Sequence, residues 1–505
     1  VLKAAVAGAG GAAIAGKTFS GSIAAPNVVQ SSSELVVGLS SDAVAIDTRQ
    51  SQNTTGVSQI LHVLEPLVSL NTSTGAIESA LAESWEPTEN GWRLHIRQGV
   101  TFHDGQPLTA EDVKYTLDSI IDPANVEWVQ PTIRGKLGRL AGVEVEDEYT
   151  VALDLGGQSR AFLANLLAVG IIPASAASQG ADFAREPVGT GPYRYAEFTS
   201  GEQFVVERNG DYWGDAPVSD RIVFRILAEN ATRVAALESG EVVMIDNLPP
   251  DQMDRIGGID GLSVLTETTS RFMHVQMIND RPPFDDIRVR QAVNHAIDKE
   301  AIHQALIGGL GAVQTAPWPS NMLGHNDELT PFPYDPELAR QLLDEAGVSD
   351  ITISFGGPVG RYLNDRQVAE AILTQLQDVG INAEPDLREF GSFFENVFDR
   401  QYDAFLLGYA YGGLDPESGR EFWSSGSSLA NYNNPEVDQL FDAGDSTTDL
   451  DEAAGIYRGL SGIIWNDVPY AWLYFQPTIV GVSDRLQGWA PQPDEFIKLA
   501  GASVS

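Results

Sequence analysis

Residues 272 to 306 read FMHVQMINDRPPFDDIRVRQAVNHAIDKEAIHQAL, and the hydrophobic period changes within them. FMHVQM (272 to 277) is a β-like run. After the Pro282-Pro283-Phe284 turn, apolar residues fall at Val289, Val293, Ala296, Ile297, Ile302 and Leu306, the stripe of a helix. Asp285 and Asp286 suit its start, because side-chain oxygens satisfy the free N–H groups of a first turn. A chain that passes from sheet to helix at its middle is building α/β layers on both sides of that point. The junction is therefore expected to carry the chain from one lobe to another.

Length agrees, since 505 residues exceed one ordinary core and suggest about three domains. No run of eighteen apolar residues could span a bilayer. The chain has no cysteine, which excludes disulfides, thiol catalysis, Cys-ligated zinc and a lipidated cysteine anchor. A formal net charge of −39 argues against nucleic acid as a partner. Only six of the 31 basic residues are Lys, and the acids are dispersed. Such a surface reads as that of a halophile's protein, haloarchaeal in type; the alternative is an acidic protein that binds cationic ligands.

Residues 1 to 33 are small and apolar, then polar, and are expected to be a disordered signal or linker segment. Gly11 to Thr18 matches a phosphate-binding loop and Gly8 to Ala13 a dinucleotide fingerprint. Each needs a strand before it and a long amphipathic helix after it, and a Ser/Pro-containing loop follows instead. The basic residue, weakly apolar core and small residues suit the tail of a secretory signal, and Val1-Leu2-Lys3 resembles the end of a twin-arginine one. Export to the cell surface or its periplasmic equivalent is the expectation.

Strand ELVVGL (34 to 39) opens the folded part, followed by a helix with Val57, Ile60, Leu61 and Leu64 on its buried face. Within 81 to 121, an Asn90-Gly91 turn leads into the alternating strand WRLHIR. Thr109 then starts a helix with Asp112 in a capping-box arrangement. Amphipathic helices at 334 to 347 and 366 to 380 end at glycines and alternate with strands ITISF and YDAFLLGY, marking an α/β lobe.

The words in this order, above all FHDGQPLTAEDV, ERNGDYWG, an apolar strand before PPFDDIRVRQA, and AIDKEAI, resemble the peptide and nickel family of ABC-transporter solute-binding proteins. The resemblance runs from residue 34 to 505. It implies an α/β, two-lobed periplasmic-binding-protein-like fold of the large, three-domain type II variant, with a hinge between lobes. Lobe I would comprise 34–60, 187–276 and 480–505, its accessory subdomain 61–186, and lobe II 277–479. It further implies a monomer, peripheral to the membrane, that delivers a small solute to a permease and its ATPases. The solute would be peptide-like or otherwise carboxylate-bearing, with metal chelates and oligosaccharides as alternatives, and an extracellular sensor or hydrolase as the other class.

No catalytic constellation, metal-ligand pattern or cofactor motif stands out. G-x-S-x-G and H-E-x-x-H are both missing, and His103-Asp104 belongs to a run that is structural in the resembled family. His295 and His303 read as polar-face residues. What remains is a set of binding candidates. Arg361 lies in a Gly-rich loop between strand and helix, and its planar fork of donors matches a carboxylate. In the resembled dipeptide binders an arginine after a similar element holds the peptide's carboxylate; the alternative is a surface arginine paired with Asp365 or Asp386. Gln50 and Asn53, with Thr54, lie where the family's first strand-to-helix connection faces the cleft, or else form a polar capping loop. Tyr409, Tyr411, Trp423 and Trp318 are candidate aromatic walls. Where the family places an aspartate for the ligand's amino end this chain has Gly412, and Asp415 matches the family's acid-Pro pair instead. This departure weighs against ordinary di- or oligopeptide binding.

Overall fold

The computed structural model describes residues 33–505 apart from 52, 73–75, 349, 414, 428 and 448. The expected signal segment and both phosphate-loop look-alikes therefore lie outside the described residues. Glu34–Leu39 is the central strand of a seven-stranded sheet. It runs parallel to Arg221–Ile226 on one side and to Met244–Ile245 on the other. The sheet's order is Leu262–Glu267, Thr478–Ser483, Met244–Ile245, Glu34–Leu39, Arg221–Ile226, Gln203–Arg208, Tyr193–Thr199. A strand paired on both edges and covered on both faces must be apolar along its length, which ELVVGL nearly is.

The second sheet has six strands, in the order Ala312–Val313, Tyr470–Phe475, Phe272–Met277, Ala404–Tyr409, Ile351–Val359, Ile381–Glu389. Phe272–Met277 is buried at every position and pairs antiparallel with a neighbour on each side. This corrects the boundary expected at 276/277. The strand belongs wholly to the second lobe, and the outward crossing is made by residues 268 to 271. The return crossing at Gln476-Pro477 lies beside it: Thr269 Oγ1 donates to the Gln476 carbonyl (2.7 Å), and the Gln476 N–H donates to the Arg271 carbonyl (2.9 Å). Two short connecting segments bonded to each other are a compact hinge.

A four-stranded antiparallel sheet, ordered Ala82–Thr88, Gly91–Ile96, Thr150–Asp154, Gly142–Asp147, forms the accessory subdomain with its own apolar core. Helix Ala110–Ile121 packs on it. Asp112 receives the Thr109 N–H (2.8 Å) and, with its other oxygen, the Ala174 N–H (2.8 Å). One carboxylate thus caps the helix and fastens the next loop to it. His103 is structural: Gly189 N–H donates to its Nδ1 and its Nε2 meets the Gly191 carbonyl (3.0 Å). Burial pushes its pKa down to about 4, so it stays neutral and holds the GTGP turn.

The central helical stripe is divided in two, Ile287–Ala296 and Lys299–Leu306. Ile297 is extended, and Asp298 starts a second helix by accepting the Ala301 N–H (2.9 Å). Of the two histidines here, His295 bonds the Pro333 carbonyl (2.9 Å). His303 is buried rather than on a polar face, with Nε2 at 2.8 Å from the Leu310 carbonyl.

Candidate functional site

Between the lobes lies a cleft with about 130 Å³ open to the centres of water-sized molecules. Lobe I supplies Gln50, Asn53 and Thr54, the subdomain Lys136 and Asn165, and lobe II Arg361, Phe390, Tyr409, Tyr411 and Gly412. Arg271, on the outward crossing, reaches in from the hinge.

The lobe I wall is the start of helix Thr54–Ile60. Asn53 Oδ1 accepts the Gly56 N–H (2.7 Å), so its expected capping role and its place on the cleft coexist. Gly56 is required there, because a Cβ would stand 2.4 Å from Ser51 Oγ and 3.1 Å from the Ala43 backbone. Gln50 lines the cleft while its amide donates to the Ala181 carbonyl (3.1 Å).

The loop carrying Arg361 is shaped by Asp365. Its buried carboxylate accepts backbone N–H groups from Gly360 (3.0 Å), Arg361 (2.8 Å), Tyr362 (3.0 Å) and Arg366 (2.8 Å). It is thereby spent on the backbone and does not pair with the Arg361 side chain. Asp386 is taken by Arg388 and Tyr402. Neither acid expected as a surface partner meets the guanidinium. Arg361 is only 6% exposed, and its side chain makes no hydrogen bond or ion pair among the described residues; its Nε is buried without a partner. Aromatic rings flank it, Tyr362 at 5.0 Å and Phe390 at 5.6 Å from the guanidinium carbon. Burial, then the adjacent Arg271 charge, lowers its pKa. A buried cation with no acid in contact is costly, and a carboxylate entering the cleft would relieve that cost.

Arg271 was not foreseen from sequence. It donates to the Gly408 carbonyl (2.9 Å) in lobe II and to Thr54 Oγ1 (2.8 Å) in lobe I, and its charge is matched by Glu495. The chain lacks a Cβ at Gly408 because one would fall 2.4 Å from Met273 Sδ. Nothing local in TTSRF announces this role, which exists only once residues 54, 408 and 495 converge.

Of the aromatic candidates, Tyr409 and Tyr411 are among the residues lining the cleft. Their hydroxyls point inward, to Gln276 Oε1 (3.2 Å) and to the Pro317 carbonyl (3.2 Å). Trp423 and Trp318 are corrections. Both are wholly buried and neither lines the cleft. Trp423 stacks on Phe272 at 5.5 Å and donates to the Tyr411 hydroxyl (3.2 Å), so it supports the wall from behind. Asp415 is likewise displaced from the site. Its carboxylate pairs with Arg160 of the subdomain and accepts the Glu417 N–H (3.0 Å). It belongs to a clasp in which Asp445 of lobe II receives Arg139 Nη1 (2.7 Å) and the Ala161 N–H (3.0 Å) of the subdomain.

Two α/β lobes hinged by paired crossings, with a cleft between them whose Arg361 has no ion-pair partner among the described residues, define a solute-binding clamp. The chain belongs to the bacterial extracellular solute-binding proteins of family 5, whose model matches residues 76–431. It is 28% identical over 479 residues to heme-binding protein A of Haemophilus influenzae, covering 88% of this chain and 87% of that one. It is 28% identical over 446 residues to the glutathione-binding protein GsiB of Pectobacterium atrosepticum, covering 85% and 86%. These relatives are bacterial, and nothing in them supports a haloarchaeal origin. Among solved structures, the Helicobacter pylori periplasmic binding protein DppA in complex with the peptide STSA superposes with a TM-score of 0.88 at 22% identity, covering 93% and 98%. The Agrobacterium binding protein AgaA in complex with agropinic acid gives 0.86 at 26%, covering 94% and 99%.

Proposed function

We propose that this chain is the exported solute-capturing component of an ABC importer, closing its lobes on a peptide-like or other carboxylate-bearing solute and presenting it to a permease. The observation that carries this is the unpaired, buried Arg361 between aromatic rings. Its fork would take a carboxylate through two parallel hydrogen bonds. Glutathione and heme, named for the two relatives, are themselves acid-bearing molecules. Ligand contacts from both lobes favour the closed arrangement, and closure follows from that difference in affinity. The test is to identify by mass spectrometry the solute released when the purified protein is denatured, and to titrate it against wild type and Arg361→Ala. Losing a buried charged partner costs about 2–5 kcal/mol, so binding should weaken by more than tenfold. Unchanged affinity would remove Arg361 from the site.

A further inference from the structure

The molecule is strongly acidic, yet its cleft is not. Lys136, Arg271 and Arg361 line it, against a single acid, Asp494. Asp494 is held by Lys498 (2.7 Å), and Arg271 is matched by Glu495. Two cations are then left over. One is Arg361; the other is Lys136, at the end of helix Pro131–Lys136, whose ammonium makes no hydrogen bond or ion pair among the described residues. The Lys136 carbonyl receives Asn165 Nδ2 (3.0 Å), and a Cβ at Gly412 would come within 3.8 Å of the Ala164 carbonyl. Lys136, Asn165 and Gly412 thus share one part of the cleft, and Gly412 leaves room there. Glu421, whose carboxyl feels the Lys136 charge, is buried and does not line the cleft, and burial pushes its pKa up to about 7.

Resting on the carboxylate-binding function above, we propose that the solute carries a second acidic group and no free amine, with Arg361 holding one acid and Lys136 the other. Among the described residues the one carboxylate lining the cleft, Asp494, is already paired, so an ammonium would find no free partner there and would face Lys136 instead. Like charges brought together in a cleft of low dielectric repel, and the same geometry attracts an anion.

Three probes built on one dipeptide separate the possibilities: dialanine, N-acetyl-dialanine and N-succinyl-dialanine, titrated by calorimetry. The wild-type chain should bind the succinyl form at least tenfold more tightly than dialanine. Lys136→Ala should abolish that preference, Lys136→Glu should reverse it, and Arg361→Ala should weaken all three probes. Melting curves of the variants check that they fold. Dialanine binding as tightly as the succinyl form, or a preference that survives Lys136→Ala, overturns the two-acid proposal and leaves the carboxylate clamp standing. Failure of all three to bind the wild-type chain overturns both.

Discussion

Among single side chains, Asp365 decides what Arg361 can do. By gathering four backbone N–H groups it fixes the loop and leaves the neighbouring guanidinium without its obvious partner. Glu421 presents the opposite case, a carboxyl whose folded pKa is raised by burial from 4.5 to about 7. Here the folded state binds the proton more tightly than the unfolded chain does. Stability is therefore undiminished below about pH 4.5, falls as pH rises towards 7, and levels off above. Glu421→Gln should leave stability near pH 4 unchanged and raise it by on the order of 3 kcal/mol near pH 8. Urea melts at the two pH values measure this, and equal stability of both proteins at pH 8 would contradict it. Arg361 is singled out through the family resemblance together with its Gly-rich strand-to-helix loop, and the structure places it on the cleft. Trp318 and Trp423 were misplaced because an aromatic residue in an irregular stretch looks the same whether it faces a cleft or backs it. Arg271 and Lys136 had no local signal at all.

The elements were the most readable level, since their determinants are local. Gly240, Gly347 and Gly380 stand past helix ends with φ of 75°, 73° and 94°, a region that glycine enters without strain. The capping box at Thr109 and Asp112 also stands in the structure. Its second function, holding the Ala174 N–H, involves a residue 62 positions away and could not be read from spacing. Asp112→Ala should therefore cost more than an ordinary cap, about 2–3 kcal/mol, because it orphans a second, part-buried donor. Chemical denaturation gives the number, and a loss below about 0.5 kcal/mol would show the second bond to be dispensable. The strand Phe272–Met277 illustrates the limit of local reading. Its apolar run identified a buried strand, but which of two sheets it joins depends on partners at 404–409 and 470–475.

For the whole molecule, two facts pull in opposite directions: a net charge of −39 over the surface and a surplus of positive charge in the cleft. The first implies self-repulsion that salt relieves, since screening shortens the reach of exposed charges to about 3 Å at 1 M. The melting temperature should rise between dilute buffer and molar salt, and a flat response would show that the acids are already locally balanced. On the proposed function, the second would make the clamp select anions against the sign of its own exterior. The hinge was legible as a change of period near residue 280, although its position was four or more residues off. The clasp of Arg139 and Arg160 with Asp445 and Asp415 was not legible, because its partners lie 306 and 255 positions apart. The clamp is defined by what its cleft holds and by the group that holds it. Mass spectrometry of small molecules released from equal amounts of wild-type and Arg361→Ala protein reads both at once. The expected result is a chemically intact, carboxylate-bearing solute on the wild type and little or none on the variant. A solute without an acid, or the same load on both proteins, would contradict it.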